Sequence, residues 1–267
     1  MAITKAMCTL HISQDKDVCV IYNNFAYVYD ELTRDIDYKK WADYVESLMK
    51  KHQVKGSMML ELGCGTGSFG IEMARRGYEM ICLDLSTEML DCANEKAQKE
   101  GLDILFLNQD MCNFELFGTV DVIVCLLDSF NYLTKATQIQ KIFKLVQNYL
   151  NPNGLFIFDI NTRYKFENIL SDNLFYEIGD NVTYIWENEY NSKTKISRFD
   201  LTFFVRQDML YERFDETHFE RAYSHDEIMK YINNSDLKFI AVYNELKLTK
   251  PSEKSQRNFY VCKKVKF

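Results

Sequence analysis

The chain has 267 residues, 47% of them hydrophobic, with 32 basic against 39 acidic side chains and a formal net charge of −7. That length supports one large domain with a full core, or a core domain carrying a smaller one. The acidity disfavours a sequence-independent grip on phosphate backbones, which relies on Lys and Arg stripes. The eight cysteines form no C-x-x-C pair and keep no zinc spacing with His, and no apolar run approaches membrane-spanning length. The expectation is a cytoplasmic protein with reduced, buried thiols, no metal and no membrane partner.

Residues 38–51 place Trp41, Tyr44, Val45, Leu48 and Met49 at helical spacing and predict an amphipathic helix. Residues 58–62 predict a strand that runs into Gly63-Cys64-Gly65-Thr66-Gly67, followed by a helix over 68–76. A second strand over 79–83 closes on Asp84. Ser86 then has N-cap chemistry for a helix that extends to about Lys99 and ends at Gly101. Short apolar runs at 104–107, 120–126 and 155–160 supply further strands. A helix over 138–150 separates the last two, and Asn151-Pro152-Asn153-Gly154 marks its end. This alternation is the pattern of a parallel sheet flanked by helices.

Beyond Asp159 the character changes. Segments 182–190, 196–206 and 209–223 are aromatic, β-branched and alternating, and predict an inserted antiparallel sheet. It has too few residues to hold a core alone and is expected to pack on the mouth of the parallel sheet, where ligands bind in such folds. A capped helix over 224–234 and strands over 239–243 and 258–263 return to the α/β pattern.

The glycine turn carries the chemistry. A strand bearing Glu61 enters it and an acid, Asp84, closes the next strand, as an adenosine-type ligand requires: glycines admit close backbone approach, and a carboxylate accepts from ribose hydroxyls. Gly65-Thr66-Gly67-Ser68-Phe69-Gly70 also satisfies the dehydrogenase pattern G-x-G-x-x-G literally. Glu61 weighs against that reading, because a carboxylate beside a pyrophosphate repels it, whereas beside a sulfonium and an amino group it attracts. The charge at the turn favours S-adenosylmethionine.

Over most of its length the chain resembles the class I S-adenosylmethionine-dependent methyltransferases. Glu61-Leu62-Gly63-Cys64-Gly65-Thr66-Gly67 resembles that family's first motif, and Asp84-Leu85-Ser86 with Met89-Leu90 the second, whose acid holds the ribose. Gln109-Asp110-Met111 resembles the third, where an acid meets the adenine amino group and the next residue flanks the ring. Leu127-Asp128-Ser129-Phe130-Asn131-Tyr132 occupies the position that faces methyl group and substrate. Upstream, Tyr22, Phe25, Ala26 and Tyr29-Asp30 resemble the N-terminal lid of amino-sugar and glycine N-methyltransferases. Arg34 before Tyr38-Lys39-Lys40-Trp41 has the spacing of an Arg that pairs with the cofactor's methionine carboxylate in the glycine enzyme. The segment Tyr211-Glu212-Arg213-Phe214-Asp215-Glu216-Thr217-His218 is similar to one in small bacterial methyltransferases without an assigned substrate.

The resemblance implies a Rossmann-like methyltransferase fold with a seven-stranded, mainly parallel sheet. The organisation it implies is a helical lid over 1–55, a cofactor-binding domain over 56–162 and 223–267, and an antiparallel β subdomain over 163–222 forming part of the substrate pocket. The cofactor contacts implied are Tyr22, Tyr29, Arg34, Trp41, Glu61, Gly63, Cys64, Gly65, Gly67, Asp84, Leu85, Met89, Gln109, Asp110, Met111 and Leu127. On the acceptor side, Asp128 is open to two readings, a base or substrate anchor and an ordinary helix cap. Asn131, Asp159 and Asn161 share that ambiguity. His218 alternates with Glu216 and Glu220 on one strand face, where a solvated face with cross-strand ion pairs is the default and a catalytic role the alternative. Trp186, Tyr184 and Tyr190 share a face and read as core. The function expected is methyl transfer to the nitrogen or oxygen of a small molecule in an enclosed pocket, by a monomer or homodimer. The alternatives are RNA or protein methylation, for which an isolated Lys/Arg cluster near the cofactor mouth would be the discriminating feature, and a cofactor-binding regulatory protein without turnover.

Overall fold

The computed structural model describes residues 23–265. Helices α1 (Asn23–Leu32) and α2 (Tyr38–Lys51) lead into β1 (Met58–Leu62), α3 (Ser68–Arg75), β2 (Glu79–Asp84), α4 (Thr87–Lys99) and β3 (Ile104–Asn108). Next come β4 (Val120–Cys125), a 3-10 turn (Ser129–Tyr132), α5 (Ala136–Tyr149) and β5 (Leu150–Asn161). A short α6 (Arg163–Lys165) continues as a π-helical turn (Phe166–Leu170) toward β6 (Leu174–Ile178), β7 (Val182–Asn191), β8 (Ile196–Gln207) and β9 (Leu210–Arg221). The described chain closes with α7 (His225–Asn233), β10 (Leu237–Asn244) and β11 (Arg257–Lys264).

Seven strands form one sheet in the order β10-β11-β5-β4-β1-β2-β3. Within it β11 runs against both its neighbours and every other pairing is parallel. The chain winds outward from β1 through β2 to β3 and then returns to place β4 on the other side of β1. The crevice beyond the ends of β1 and β4 is therefore a topological switch point, where such sheets bind ligands. This is the Rossmann-like arrangement expected of the sequence. A separate antiparallel sheet has the order β6-β7-β8-β9.

Local chemistry accounts for the element ends. Asp37 accepts from Lys40 N at 3.0 Å and starts α2, whose Trp41, Ala42, Tyr44, Val45, Leu48 and Met49 are all buried. At ~1.5–3 kcal/mol per large apolar side chain, this face rather than helix propensity holds α2 on the sheet. Ser86 caps α4 by accepting from Met89 N, and Ser224 with Glu227 closes a capping box on α7. One face of the large sheet packs under α5 and α7, the other under α2 and α3. A third cluster joins Val28 and Tyr29 of α1, Met89 and Cys92 of α4, and Trp186, Phe199 and Phe203 of the small sheet. The small sheet is thereby fixed against α1 and α4, and Trp186 and Tyr184 are core, as expected.

Three features depart from the sequence reading. The inserted sheet has a fourth strand, β6, an edge strand with no buried face and hence no strong alternation of burial to signal it. Strand β5 begins at Leu150 and runs through the Asn-Pro-Asn-Gly segment, because the register against β4 jumps from Val120↔Leu150 to Val122↔Leu155 and absorbs the turn residues. The β9 face expected to be solvated is buried: His218 is 4% exposed and Glu220 0%. The opposite face is the solvated one, with Thr202 and Arg213 on Asp215 and Thr217 on Asp200.

Among the described residues no helix is long and apolar enough to cross a membrane, and their six cysteines are buried and unbridged.

Candidate functional site

The turn after β1 is built so that backbone, not side chains, faces the crevice. Gly63, Gly65 and Gly67 have φ of 70°, 53° and 72°, the left-handed region that favours glycine. A Cβ on Gly67 would stand 2.8 Å from Ala93 Cβ, and one on Gly63 3.1 Å from Ser129 Oγ. Asp84, 1% exposed, is locked by two backbone donors, Gly65 N at 2.8 Å and Ser86 N at 2.9 Å. Its carboxylate is thus held at the end of β2, on the wall of the crevice.

A cavity of about 530 Å³ opens there, lined by Gly63, Asp84, Leu85 and Gln109 to Met111 on one wall. Tyr132 to Lys135 and Asp215 to Phe219 of β9 form the other wall. Its size suits a nucleoside-type ligand with room beyond. Gln109 accepts from Glu115 N at 2.7 Å and Asp110 from Cys112 N at 2.8 Å, so the loop after β3 is braced from within. Helix α1 closes over the glycine turn. Asp30 accepts from Thr66 Oγ1 at 2.5 Å and pairs with Lys96 Nζ at 2.7 Å.

Glu61 lies beneath the turn rather than on the cavity wall. It is buried, with Cys82 Sγ 3.7 Å from one oxygen, and burial raises its carboxyl to about 8 against a weaker lowering by Cys82 and the Gly70 N–H. A bound cation at the turn would favour its charged form.

Beyond β4, Leu127 and Asp128 both adopt left-handed backbone, φ 57° and 58°, an uncommon and costly pairing for non-glycine residues. The Asp159 carboxylate holds them there by accepting from Leu127 N at 2.7 Å and Asp128 N at 3.0 Å. Arg257 donates to Asp159 and, at 2.7 Å, to Asp128, with its guanidinium 5.5 Å from the Trp41 ring. Burial works against the charged form of Asp128, and Arg257 works for it. Nearby, Lys165 donates to Asn161 Oδ1 at 2.9 Å, and Asn161 Nδ2 reaches Glu220 Oε2 at 3.5 Å. Burial lowers Lys165 to about 8. His218 meets Tyr132 edge-on at 5.9 Å between ring centres, and burial lowers it to about 4, leaving a neutral imidazole.

The structure thus brings Gly63, Asp84, Leu85, Gln109, Asp110, Met111 and His218 to one cavity. Cys64, Gly65 and Gly67 shape the turn behind it. Met89 and Tyr29 pack where α1 meets α4, and Asp128 and Leu127 form the strained loop. Arg34 stands apart, exposed and paired with Glu177 of β6 at 2.7 Å. Trp41 lines a separate cavity of about 230 Å³ beside Arg257. Tyr22 lies outside the described residues. Arg257 and Lys165 were not anticipated. The one available signal was a cation opening the apolar strand β11, whose antiparallel direction puts its first residue opposite Asn161 at the ligand edge.

The family described as "Methyltransferase domain" matches residues 59–154. The chain is 35% identical over 248 residues to the Bacillus subtilis (strain 168) protein named "Putative methyltransferase YqeM", covering 92% of this chain and 98% of that one. The crystal structure of a S-adenosylmethionine-dependent methyltransferase from Clostridium acetobutylicum ATCC 824 superposes with a TM-score of 0.84 at 36% identity, covering 92% of this chain and all of the other. The sugar N-methyltransferase KedS8 from Streptoalloteichus sp ATCC 53650 shares the fold, with a TM-score of 0.73 at 14% identity, covering 100% of this chain and 99% of that one.

Proposed function

Because this chain belongs to the S-adenosylmethionine-dependent methyltransferases, we propose that it transfers the methyl group to nitrogen or oxygen of a small molecule. The observation that carries this reading is that cofactor-motif residues and the inserted sheet share one cavity, with Gly63 and Asp84 on one wall and His218 on the other. The sugar N-methyltransferase neighbour is consistent with it.

The residues present fit the cofactor: a turn whose Gly63, Gly65 and Gly67 hold left-handed backbone beside the cavity, and a carboxylate fixed by two N–H groups. When bound, the cofactor supplies a methyl group already activated on a sulfonium. In this reading Asp84 holds the ribose, Met111 and Leu85 flank the adenine, and Asp110 meets its amino group. With a cationic cofactor bound, Glu61 would favour its charged form and supply negative charge beneath the turn. The task left to the other residues is alignment and exclusion of water. The Leu127–Asp128 loop sets the approach from below, and α1, tied down through Asp30, covers the turn. Neutral His218 accepts a hydrogen bond from the acceptor and orients its lone pair. Asp128, committed to Arg257, positions the loop.

The acidic wall, which includes Asp84, Asp110, Asp215 and Glu216, disfavours an RNA backbone. Incubation with methyl-labelled cofactor and a size-fractionated bacterial extract tests the reading. Label in the small-molecule fraction is expected, and label confined to RNA or protein would overturn it.

A further inference from the structure

The inward face of the small sheet carries more unpartnered polar atoms than a packed core tolerates. Both ring nitrogens of His218, Oε1 of Glu220, Oγ of Ser197, Oδ1 of Asn188 and Nε1 of Trp186 are buried without a hydrogen-bond partner. Their strands run side by side: Ser197 is opposite Glu220, and Phe199 is opposite both His218 and Asn188. Buried polar groups in native proteins are hydrogen-bonded as a rule, so a concentration of exceptions on one wall points to a missing ligand. His218 and Glu216 both line the cavity that holds the cofactor motifs.

The composition of that wall identifies the ligand's chemistry. On the cavity itself the wall presents the Glu216 carboxylate, which only accepts, and the His218 imidazole, one nitrogen of which accepts while the other donates; behind them Asn188 Oδ1 accepts, Trp186 Nε1 donates, and the Ser197 hydroxyl and the Glu220 carboxyl can do either. A hydroxyl offers one hydrogen to such a wall and an ammonium up to three. Charge points the same way. Deeper in, Lys165 and Arg257 stand against Asp128 and Asp159, and burial holds Glu220 toward its neutral form; Glu216, on the cavity, has no Lys or Arg within 4 Å among the described residues, its neighbour there being neutral His218. Uncompensated buried carboxylates are costly, and a ligand cation offsets that cost.

We propose that the methyl acceptor is a cationic amine, received by the inward row Glu216, His218 and Glu220 of β9 with its nitrogen between that row and the glycine turn. This rests on the small-molecule reading above and narrows it. The amine sheds one proton to the Glu216 carboxylate, which burial lifts to about 7 and so equips to take it up near neutrality. The freed lone pair then forms the N–CH3 bond as the S–CH3 bond breaks, its electron pair remaining on sulfur. The products are a methylated amine and S-adenosylhomocysteine. Glu220 and His218 hold the remaining N–H groups.

The test uses the full chain, deuteromethyl-labelled cofactor and a bacterial small-molecule extract, with labelled products resolved from the donor by mass and sorted on a cation exchanger at neutral pH. Retention of the labelled product is expected. Labelled small molecules only in the unretained neutral or anionic fraction would overturn the amine assignment while leaving the small-molecule reading intact. Label only in polymer would overturn both. Glu216→Gln and Glu220→Gln should each lower transfer at least tenfold with S-adenosylhomocysteine binding, read by thermal shift, unchanged. Two folded variants that keep transfer within twofold of the original would refute the role of the row.

Discussion

Arg257 Nη2 donates to Asp128 Oδ1 at 2.7 Å across 129 residues of sequence, with both side chains at most 5% exposed. The same guanidinium reaches Asp159, which in turn holds the N–H groups of Leu127 and Asp128, so one cation at the start of β11 fixes the strained loop after β4. Replacing Arg257 by Met should cost about 3–5 kcal/mol, because two carboxylates lose the guanidinium bonded to them and stay buried with only Lys165 nearby as counter-charge. The loss should shrink as pH falls toward 5, where those carboxyls take up protons. Urea denaturation at two pH values measures both effects, and a loss under ~1 kcal/mol at pH 7 would show that the loop is held by other contacts.

Asp84 offers a sharper test of the cofactor wall. In Asp84→Asn one oxygen becomes an NH2 group, which confronts either Gly65 N or Ser86 N with a donor in place of an acceptor. Hydrogen bonds to a charged group contribute about 1.5–3 kcal/mol, so S-adenosylhomocysteine should bind roughly 10–100-fold more weakly by calorimetry. An affinity unchanged by the substitution would remove Asp84 from the site.

Asp30 ties α1 to the glycine turn through Thr66 and to α4 through Lys96, and its pair with Lys96 is partly exposed, at 34% and 26%. Such a pair contributes about 0–1 kcal/mol to folding. Asp30→Ala should therefore shift Tm by no more than ~3 °C yet release the cover over the turn, weakening cofactor binding about 3–10-fold, mostly through faster dissociation. Stopped-flow dissociation of a fluorescent cofactor analogue reads this directly, and an unchanged off-rate would mean that α1 is not a cover.

What was legible in the sequence follows the strength of local signals. Strands β1, β2, β4 and β5 carry apolar runs, and Gly63 to Gly67 with Asp84 carry a distinctive turn chemistry, so the core sheet and the glycine-turn side of the cavity could be read directly. The opposite wall could not. Glu216, His218 and Glu220 look like a solvated strand face, and only tertiary packing, which sets His218 against Tyr132 of the 3-10 turn, buries His218 and Glu220 and half-buries Glu216. Arg257 and Lys165 were hidden for the same reason: nothing local distinguishes a buried cation from a surface one until its partners, 129 residues away for Asp128 and Arg257, are brought alongside. Strand β6, exposed on alternate residues and half-exposed between, had no buried face to announce it.

Glu61 connects the turn to a pH dependence with a definite sign. Burial raises its folded-state value from 4.5 to about 8, so between those values the native state binds more protons than the unfolded chain. Stability from this group is fully present below about 4.5 and is lost as pH rises toward 8. Glu61→Gln keeps the shape and removes the titration, so the Tm difference between variant and original protein should grow in the variant's favour from pH 5 to pH 8. Glu216 and Glu220 titrate in both proteins and cancel in that difference. A cofactor amino group or sulfonium at the turn stabilises the ionised form of Glu61, so S-adenosylmethionine should raise Tm of the original protein more at pH 8 than at pH 5, and that increment should vanish in the variant. Paired melting curves at both pH values, with and without cofactor, read all of this. A Tm difference that stays flat with pH would mean that Glu61 does not titrate in the window and that the charge beneath the turn is not what selects a cationic cofactor.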